Sequence, residues 1–305
     1  MKRRIESAVA PRDVGKTLLA MLTERFPYHS AEAWELRIRR GELAVNDAAA
    51  TPETLLELGD KVRYQPVDLV EPPVRSDFRI AAEDADFLVI DKPGNLPVHP
   101  AGPYFEHTLW GLLHEDFPEL HFVNRLDRET SGLLLAARTA SSTAQLSRQL
   151  PEMFKRYLAI VHGAFAGAMT ATGVLVRDET SAIRKKRRFL PGGQAGESAV
   201  TELHELRQAN GFTLVEAILH TGRFHQVRAT LAGLGYPVVG DKLYGLDENF
   251  YRKLRGDRLT AEDREKLILD RQALHCAELA FRHPVSGEEL RFTSAMPTEM
   301  AAVLE

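Results

Sequence analysis

The sharpest change from polar to apolar positions along the chain lies between residues 121–132 and residues 133–137. The second stretch, Leu-Leu-Leu-Ala-Ala, is short and wholly apolar, which predicts a buried strand. The first stretch is rich in short polar side chains and ends in Gly132, which is typical of a loop. We therefore expect a polar loop fixed to a rigid core strand, an arrangement that can hold a side chain accurately.

The pattern divides the chain into a small N-terminal unit over residues 1–67, a proline-containing linker over 68–78 and a large domain over 79–305. In the small unit, apolar residues at helical spacing predict two helices, and two short apolar runs predict paired strands. These four elements are expected at residues 14–26, 31–40, 43–45 and 59–64.

In the large domain, many short apolar runs predict strands, whereas few stretches have helical spacing. Asn210 and Gly211 lie between two such runs and form a strong hairpin signal. The main strands are expected at residues 87–90, 133–137, 155–163, 201–206 and 212–220, and two helices are expected at residues 140–150 and 229–234.

Composition sets the outer limits of the interpretation. The chain has 305 residues, 44% of them hydrophobic and 27% charged, as in an ordinary soluble protein. Its single cysteine, Cys276, excludes an intrachain disulfide and indicates a reducing compartment. No stretch approaches the roughly 20 apolar residues of a membrane helix, and the first residues lack an apolar signal core. We therefore expect a cytoplasmic protein that does not contact membranes.

The net charge of −4 mildly disfavours nucleic acid as a partner, because nucleic-acid binders usually have a basic surface. Phosphate contacts, however, need only a local basic stretch. Residues 184–188, Arg-Lys-Lys-Arg-Arg, form one, with Lys185 and Lys186 at its centre. Such a run is either a solvated face or an RNA-binding surface, and it supports binding only together with other observations.

Asp127 lies in the polar loop, and a single aspartate in such a position often only caps a turn through Thr130 and Ser131. Here the order Asn-Arg-Leu-Asp-Arg-Glu-Thr-Ser-Gly over residues 124–132 resembles the central motif of the RluA family of RNA pseudouridine synthases. The family commonly has His where this chain has Asn124. The resemblance implies that Asp127 is the catalytic carboxylate and that Arg125 fills the space left by a flipped-out base.

Two further motifs follow in the family's order. Residues 156–163 resemble the second motif, whose tyrosine lies against the target base; Tyr157 is alternatively a core aromatic with its hydroxyl satisfied. Residues 222–228, Gly-Arg-Phe-His-Gln-Val-Arg, resemble the third motif, and residues 235–245 extend the match. By this resemblance Arg228 keeps the buried acid charged and oriented, because a guanidinium stays protonated and can bind both carboxylate oxygens.

Other positions are assigned by the same resemblance, each beside a simpler alternative. Leu274 would form an apolar wall of the base pocket, or it is an ordinary core leucine. Lys92 follows a buried strand and would contact phosphate, or it is only solvated. The RNA-binding set from the third motif is Arg223, His225 and Gln226.

The N-terminal unit is similar to the S4 RNA-binding module in its order of helix, helix, strand, Val-Asn and Gly-Asp-Lys-Val. Ala31 and Asp47 depart from the module's usual Arg and Gly. Arg37 and Arg40 lie near the end of the second helix, where cations suit the helix dipole, and are expected to bind RNA. The alternative is a basic helix that is merely soluble.

No metal or cofactor is expected. Histidines 99, 107, 114 and 121 recur every seven or eight residues, but metal-binding pairs are usually closer together. The resemblance implies chemistry without a metal, nucleotide or redox group, in agreement with the absence of a glycine-rich phosphate loop or a cysteine cluster.

The sequence thus predicts an α+β protein with a mixed, mostly antiparallel sheet of the pseudouridine synthase fold and a small S4-like α/β module. The expected activity is isomerisation of specific uridines to pseudouridine in a structured RNA, ribosomal rather than transfer RNA, by a monomer. Two alternatives stay open. A carboxylate-based hydrolase would need Glu129 as a second acid, and Asn124 makes an inactive RNA-binding relative conceivable.

Overall fold

The structure, a computed structural model, describes residues 5–26, 29–67, 70–256 and 258–305. The described chain packs as two compact units, one of residues up to 72 together with 102–106, the other of residues 73–101 and 107–305. The predicted linker begins at two residues outside the described ranges, and residues 70–78 contain neither helix nor strand. The predicted boundaries at 67 and 79 stay a prediction. No helix in the described ranges has the length and apolarity needed to cross a membrane.

The N-terminal unit contains two helices and a four-stranded antiparallel sheet in the order β1-β4-β2-β3. Its elements are β1 (Ile5–Ala8), a 3₁₀ turn (Pro11–Asp13), α1 (Leu18–Arg25), α2 (Ala31–Arg39), β2 (Leu43–Val45), β3 (Ala48–Ala49) and β4 (Lys61–Tyr64). Trp34 packs edge-on against Tyr64 in its core.

Helix α1 begins later than expected. The Thr17 side chain caps it by accepting the amide of Ala20, so the predicted start at Val14 is wrong, and Val14 is exposed. Helix α2 is confirmed, with Ser30 as its N-cap. Asn46 and Asp47, in the turn after β2, both have positive φ, and this turn leads into β3. The expected partner strand β4 also pairs with β2, but it follows later in the chain.

The second unit is built on an eleven-stranded sheet with helices packed against it, which confirms the α+β prediction. Its strands are β5 (Arg79–Glu83), β6 (Phe87–Lys92), β7 (His121–Phe122), β8 (Ser131–Ala137), β9 (Phe154–His162), β10 (Ala168–Arg177), β11 (Arg187–Pro191), β12 (Glu197–Ala209), β13 (Phe212–Leu219), β14 (Leu274–Arg282) and β15 (Glu289–Thr293). Its helices are α3 (Leu109–Leu113), α4 (Ala140–Gln149), α5 (Gln226–Gly233), α6 (Asn249–Arg255), α7 (Ala261–Leu267) and α8 (Thr298–Ala301), followed by a 3₁₀ turn (Ala302–Leu304).

The strand order is β11-β10-β12-β13-β9-β14-β8-β6-β5, with β15 beside β14 and β7 beside β8. Among the described strands of this sheet, β8 and β14 pair in parallel and the other pairs are antiparallel. The hairpin predicted at Asn210 and Gly211 is confirmed, because both residues have positive φ between β12 and β13.

Strand β8 lies at the centre of the core, and all seven of its residues are buried. Its Gly132 has a φ of +105° and lies directly against the backbone of Cys276 on β14, where a Cβ atom would collide. This close approach explains the glycine of the Thr-Ser-Gly sequence. Tyr157 on β9 is the cross-strand neighbour of the same Cys276, so β9, β14 and β8 bring Tyr157 and the loop before β8 into one region.

Candidate active site

The polar loop between β7 and β8 carries Asp127, and helix α5 carries Arg228. Nη1 of Arg228 donates a hydrogen bond of 2.6 Å to Oδ2 of Asp127, across 101 residues of sequence. Arg228 is buried, whereas about a quarter of the Asp127 side chain is exposed. The predicted pairing of these two side chains is therefore present, with the carboxylate on the accessible side of the pair.

A second carboxylate, that of Asp241, holds the other edge of the same guanidinium. Nε of Arg228 donates to Oδ2 of Asp241 at 2.6 Å, and Nη2 donates to Oδ1 at 2.8 Å. Oδ1 also accepts the backbone amides of Leu243 and Tyr244, each at 2.9 Å. This bidentate pair fixes the plane of the guanidinium and directs Nη1 toward Asp127.

The sequence interpretation assigned no role to Asp241, although the residue lies in the Gly-Asp-Lys-Leu-Tyr-Gly stretch that extends the third motif. The sequence signal for Asp241 is its position directly after Gly240, within the stretch that extends the family match.

The charges of this cluster favour ionised carboxylates. Burial would raise the pKa of Asp127, but the guanidinium of Arg228 outweighs it and holds that pKa at about 2. Burial likewise acts against Asp241, and Arg228 again lowers its pKa below the ordinary value. Both aspartates are consequently charged near neutral pH, and neither is available as a proton donor.

His225 faces the other oxygen of the Asp127 carboxyl from the one that Arg228 binds. It has a left-handed backbone, with φ of 60°, immediately before α5, and its Nε2 is 3.5 Å from Oδ1 of Asp127. Only 4% of its side chain is exposed, and burial lowers its pKa to about 3, so the ring is neutral. The predicted direct contact of His225 with RNA is therefore corrected, since the ring faces Asp127 from inside the protein.

Tyr157 reaches the same cluster from β9. Its side chain is buried, and burial, together with Cys276 and the negative charge of Asp127, raises its pKa well above the usual value. The phenol of Tyr157 therefore keeps its proton near neutral pH. Leu274 is also buried and lies on strand β14, three residues before Ala277. Its role as a wall of the base pocket stays a prediction.

Two residues predicted to bind RNA are structural. Lys92 is 1% exposed, so water does not reach its ammonium group. The ammonium instead donates to the carbonyls of Pro93, Leu96 and Arg128. Burial also lowers the pKa of Lys92 to about 7. Its assignment as a phosphate contact is wrong.

Gln226 is 2% exposed, and its assignment to RNA is corrected for the same reason. Its side-chain oxygen accepts from the Thr221 hydroxyl and the Arg223 amide, and its nitrogen donates to β12 at Val200 and Thr201. These bonds fasten the turn before α5 to the sheet.

The remaining predicted RNA contacts lie at the surface or in ion pairs. Arg125 is exposed two residues from Asp127, and Arg223 is exposed with its Nε donating to the Ser198 carbonyl at 3.1 Å. Lys185 is exposed and lies 4.4 Å from the centre of the Tyr251 ring, whereas Lys186 is paired with Glu248 at 2.8 Å.

In the N-terminal unit, Arg37 is paired with the buried carboxylate of Glu42 at 2.9 Å, and Arg40 is exposed at the end of α2. The pair stabilises that end of the helix. RNA binding by Arg37 and Arg40 stays a prediction.

The loop that presents Asp127 is braced by its neighbours. Glu129 accepts the Lys242 ammonium at 3.0 Å, the Arg128 guanidinium at 2.8 Å and the backbone amide of Gln272 at 3.2 Å. Because Glu129 is committed to these donors, it does not supply the second, protonated acid that a hydrolase would need.

Asn124 fastens the same loop to the core strand. Its Oδ1 accepts the backbone amide of Leu135 on β8 at 2.7 Å. The family's usual His is thus replaced here by a buried side chain that holds the loop in place, and the replacement leaves the Asp127 pairing intact.

One group of potential metal ligands occurs within the described ranges, at Asp84, Asp86 and His283, whose ligating atoms lie within 4.8 Å of one another. Oδ1 of Asp84 already accepts the backbone N–H of Asp86, and Nε2 of His283 lies 3.4 Å from the same oxygen. These contacts are those of an ordinary polar turn. We assign no metal to this group.

The site therefore contains a rigidly held carboxylate, that of Asp127, which is partly exposed and stays charged. An arginine, a neutral histidine and a buried tyrosine lie around it. Such a site suits an enzyme in which one carboxylate attacks carbon or removes a proton. Residues 86–233 match the protein family described as RNA pseudouridylate synthase.

Relatives extend this match over nearly the whole chain. Ribosomal large subunit pseudouridine synthase D of Xanthomonas campestris pv. campestris is 33% identical over 98% of this chain and 92% of its own. An uncharacterized RNA pseudouridine synthase of Bacillus subtilis is 31% identical over 88% of this chain and 86% of its own. The structure of human RNA pseudouridylate synthase domain containing 1 aligns with a TM-score of 0.57 and 26% identity, over 74% of this chain and 86% of that one.

The chain belongs to the RNA pseudouridine synthase family, whose members isomerise uridine in RNA to pseudouridine.

The first prediction concerns Asp241. Asp241→Asn keeps the shape of the side chain but places an amide donor against the Arg228 guanidinium and leaves that charge with one carboxylate fewer. We expect a loss of about 3 kcal/mol in the free energy of unfolding and a fall of roughly 10²-fold in kcat. Urea unfolding and pseudouridine formation measure the two effects.

Asp270→Asn is the matched control, because its carboxylate forms an exposed pair with Arg264. It should leave stability and kcat nearly unchanged. An Asp241→Asn protein as active as the control would contradict the proposed support of Arg228.

The second prediction concerns pH. The pKa of Asp127 is about 2 in the folded protein and about 3.9 in an unfolded chain, so its ion pair contributes fully above pH 4 and is lost as the pH falls toward 2. We expect this lowered pKa to contribute about 2.6 kcal/mol to the free energy of unfolding. Urea unfolding between pH 2 and 5 should show a steeper loss of stability for the native protein than for Asp127→Asn, and equal slopes would refute the assigned pair.

Proposed function

We propose that this protein converts uridines of large-subunit ribosomal RNA into pseudouridine, with Asp127 as the catalytic carboxylate. The single observation that carries the residue assignment is the 2.6 Å bond from Arg228 to Asp127. It supports a carboxylate that is ionised, oriented and still partly accessible. The ribosomal substrate is supported by relatives named ribosomal large subunit pseudouridine synthases, which match almost the full chain.

The proposed reaction breaks the N1–C1′ bond of a flipped-out uridine and forms a C5–C1′ bond after the base has turned over. Asp127 attacks C1′ or C6, or it assists removal of a proton from the sugar; all three roles need a charged carboxylate. The hydrogen on C5 leaves as a proton and N1 gains a proton, so the product has the same composition as the substrate. No redox step occurs.

The surrounding side chains have separate roles in this proposal. Arg228 keeps the carboxylate charged and fixes its direction. Tyr157 lies against the base with its hydroxyl protonated, and Leu274 forms the apolar wall behind it. Arg125, exposed beside the acid, occupies the space that the flipped base leaves in the RNA.

Binding of the RNA backbone is proposed for exposed cations in each of the two units. Arg223 and Lys185 are exposed in the second unit, and Arg40 is exposed in the S4-like unit. Lys186 and Arg37 are already paired with acids, so their contribution to phosphate binding is smaller. A ribosomal RNA substrate fits the expected cytoplasmic location, and we propose that the chain acts as a monomer.

The third prediction tests the acid. RNA tritiated at uracil C5 should release label with the native protein, and Asp127→Asn should lower the release rate by at least about 10³-fold while RNA binding is kept. Asp116→Asn, a change at an exposed acid, is the control and should be fully active. Release by Asp127→Asn at the native rate would remove the assigned role. A hydrolase would instead liberate free base.

The fourth prediction tests the substrate. Mapping of pseudouridines in a strain that lacks the gene should show the loss of one or more sites in large-subunit ribosomal RNA, with transfer RNA unchanged. The gene restores these sites, and the Asp127→Asn gene does not. Loss confined to transfer RNA would overturn the ribosomal assignment and leave the chemistry intact.

A further inference from the structure

The hydroxyl of Tyr244 lies in a buried position between the sheet and the active site. Tyr244 is 4% exposed, and its oxygen is 2.9 Å from the backbone nitrogen of Arg187 at the start of β11. The same oxygen is 2.9 Å from Nδ1 of His225. The tyrosine therefore joins the basic segment 184–188 to the histidine that faces Asp127.

The direction of these two hydrogen bonds follows from their chemistry. A backbone N–H of Arg187 only donates, so the phenol oxygen accepts there. The phenol also carries a proton, because burial raises the pKa of Tyr244 well above its usual value. Among the described neighbours, the acceptor within reach of that proton is Nδ1 of His225.

A neutral imidazole has one protonated and one unprotonated nitrogen. His225 is neutral because burial lowers its pKa to about 3. If Nδ1 accepts from Tyr244, then Nε2 carries the proton, and Nε2 is the atom that lies 3.5 Å from Oδ1 of Asp127. In the other tautomer a lone pair would face the negative carboxylate.

Both oxygens of Asp127 are then faced by donors. Oδ2 receives Nη1 of Arg228 at 2.6 Å, and Oδ1 faces the Nε2–H of His225. The distance of 3.5 Å is long for a hydrogen bond, and such contacts commonly tighten when a substrate binds.

We propose that Tyr244 is a positioning residue that fixes His225 as the Nε2–H tautomer, so that the imidazole donates toward Asp127. The tautomer itself follows from the described hydrogen bonds together with the neutral state of the His225 ring. Its effect on turnover rests on the proposed catalytic role of Asp127, and the two are measured separately.

Tyr244→Phe is the decisive variant. It removes the hydroxyl and keeps the ring, which packs 4.9 Å from the guanidinium carbon of Arg228 and edge-on against His225. Nδ1 of His225 then loses its donor, and the Nδ1–H tautomer becomes accessible. Tyr236→Phe is the matched control, because its ring packs on Phe165 away from Asp127.

The tautomer is read from long-range ¹H–¹⁵N spectra of protein labelled at histidine nitrogen, with the His225 signal assigned by its absence in His225→Gln. The native protein and Tyr236→Phe should show the Nε2–H form, and Tyr244→Phe should show the Nδ1–H form or a mixture. A native His225 protonated at Nδ1 would overturn the proposal, whether or not the variant is active.

Kinetics give the second measurement. Tyr244→Phe should lower kcat for pseudouridine formation about tenfold with KM within about twofold of native, as expected for a lost positioning hydrogen bond. Thermal unfolding establishes that the variant is folded. A folded Tyr244→Phe with native tautomer and native kcat would also overturn the proposal, whereas a changed tautomer with native kcat would count against the role of His225 at Asp127.

Discussion

The structure depends on one guanidinium shared between two carboxylates. Arg228 binds Asp241 through two nitrogens and Asp127 through the third, and Asp241 is itself held by two backbone amides. Separating buried charges from water costs several kcal/mol for each ion, so each member of this group is tolerable only because the others are present. The geometry of the proposed catalytic carboxylate is therefore set by the Arg228–Asp241 pair, which the proposed reaction does not require to contact the substrate.

The sheet makes this arrangement possible by bringing distant segments together. The acid is anchored by β8, the arginine by α5 and the tyrosine by β9, while β14 runs between β8 and β9. The close parallel contact of β8 and β14 at Gly132 leaves no room for a side chain, so the loop before β8 cannot shift relative to Tyr157 without breaking the core. Rigidity at the site is thus a property of the sheet centre.

Much of this was predictable from sequence, and the failures have a common physical origin. Strand β8, helix α4 and the hairpin at Asn210 follow from apolar pattern and turn chemistry, which are local. Pairing of Asp127 with Arg228 came from the family resemblance, because no local pattern links residues 101 positions apart.

The wrong assignments concern polar residues whose burial is decided by tertiary packing. Lys92 and Gln226 look like RNA contacts in a motif, yet both are satisfied inside the fold, Lys92 by backbone carbonyls and Gln226 by backbone groups and threonine hydroxyls. The sequence indicated no role for Asp241, because an aspartate is rarely fully buried unless it is paired, and only the fold shows its partner. A motif identifies the residues that a site needs, and only the fold separates those that touch the substrate from those that hold the site.

The charge balance of the site explains why the buried residues that hold Asp127 and the exposed cations lie in different places. Two carboxylates, one guanidinium and a neutral imidazole leave one negative charge at the centre, on the side where Asp127 is accessible. RNA phosphates would be repelled by this charge, so cations must lie outside the cluster, as Arg125 and Arg223 do at the exposed surface. A further cation inside the cluster would pair with the accessible side of Asp127, which the proposed reaction requires to be open. In the proposed function, buried donors therefore direct the carboxylate, while exposed cations attract the RNA backbone.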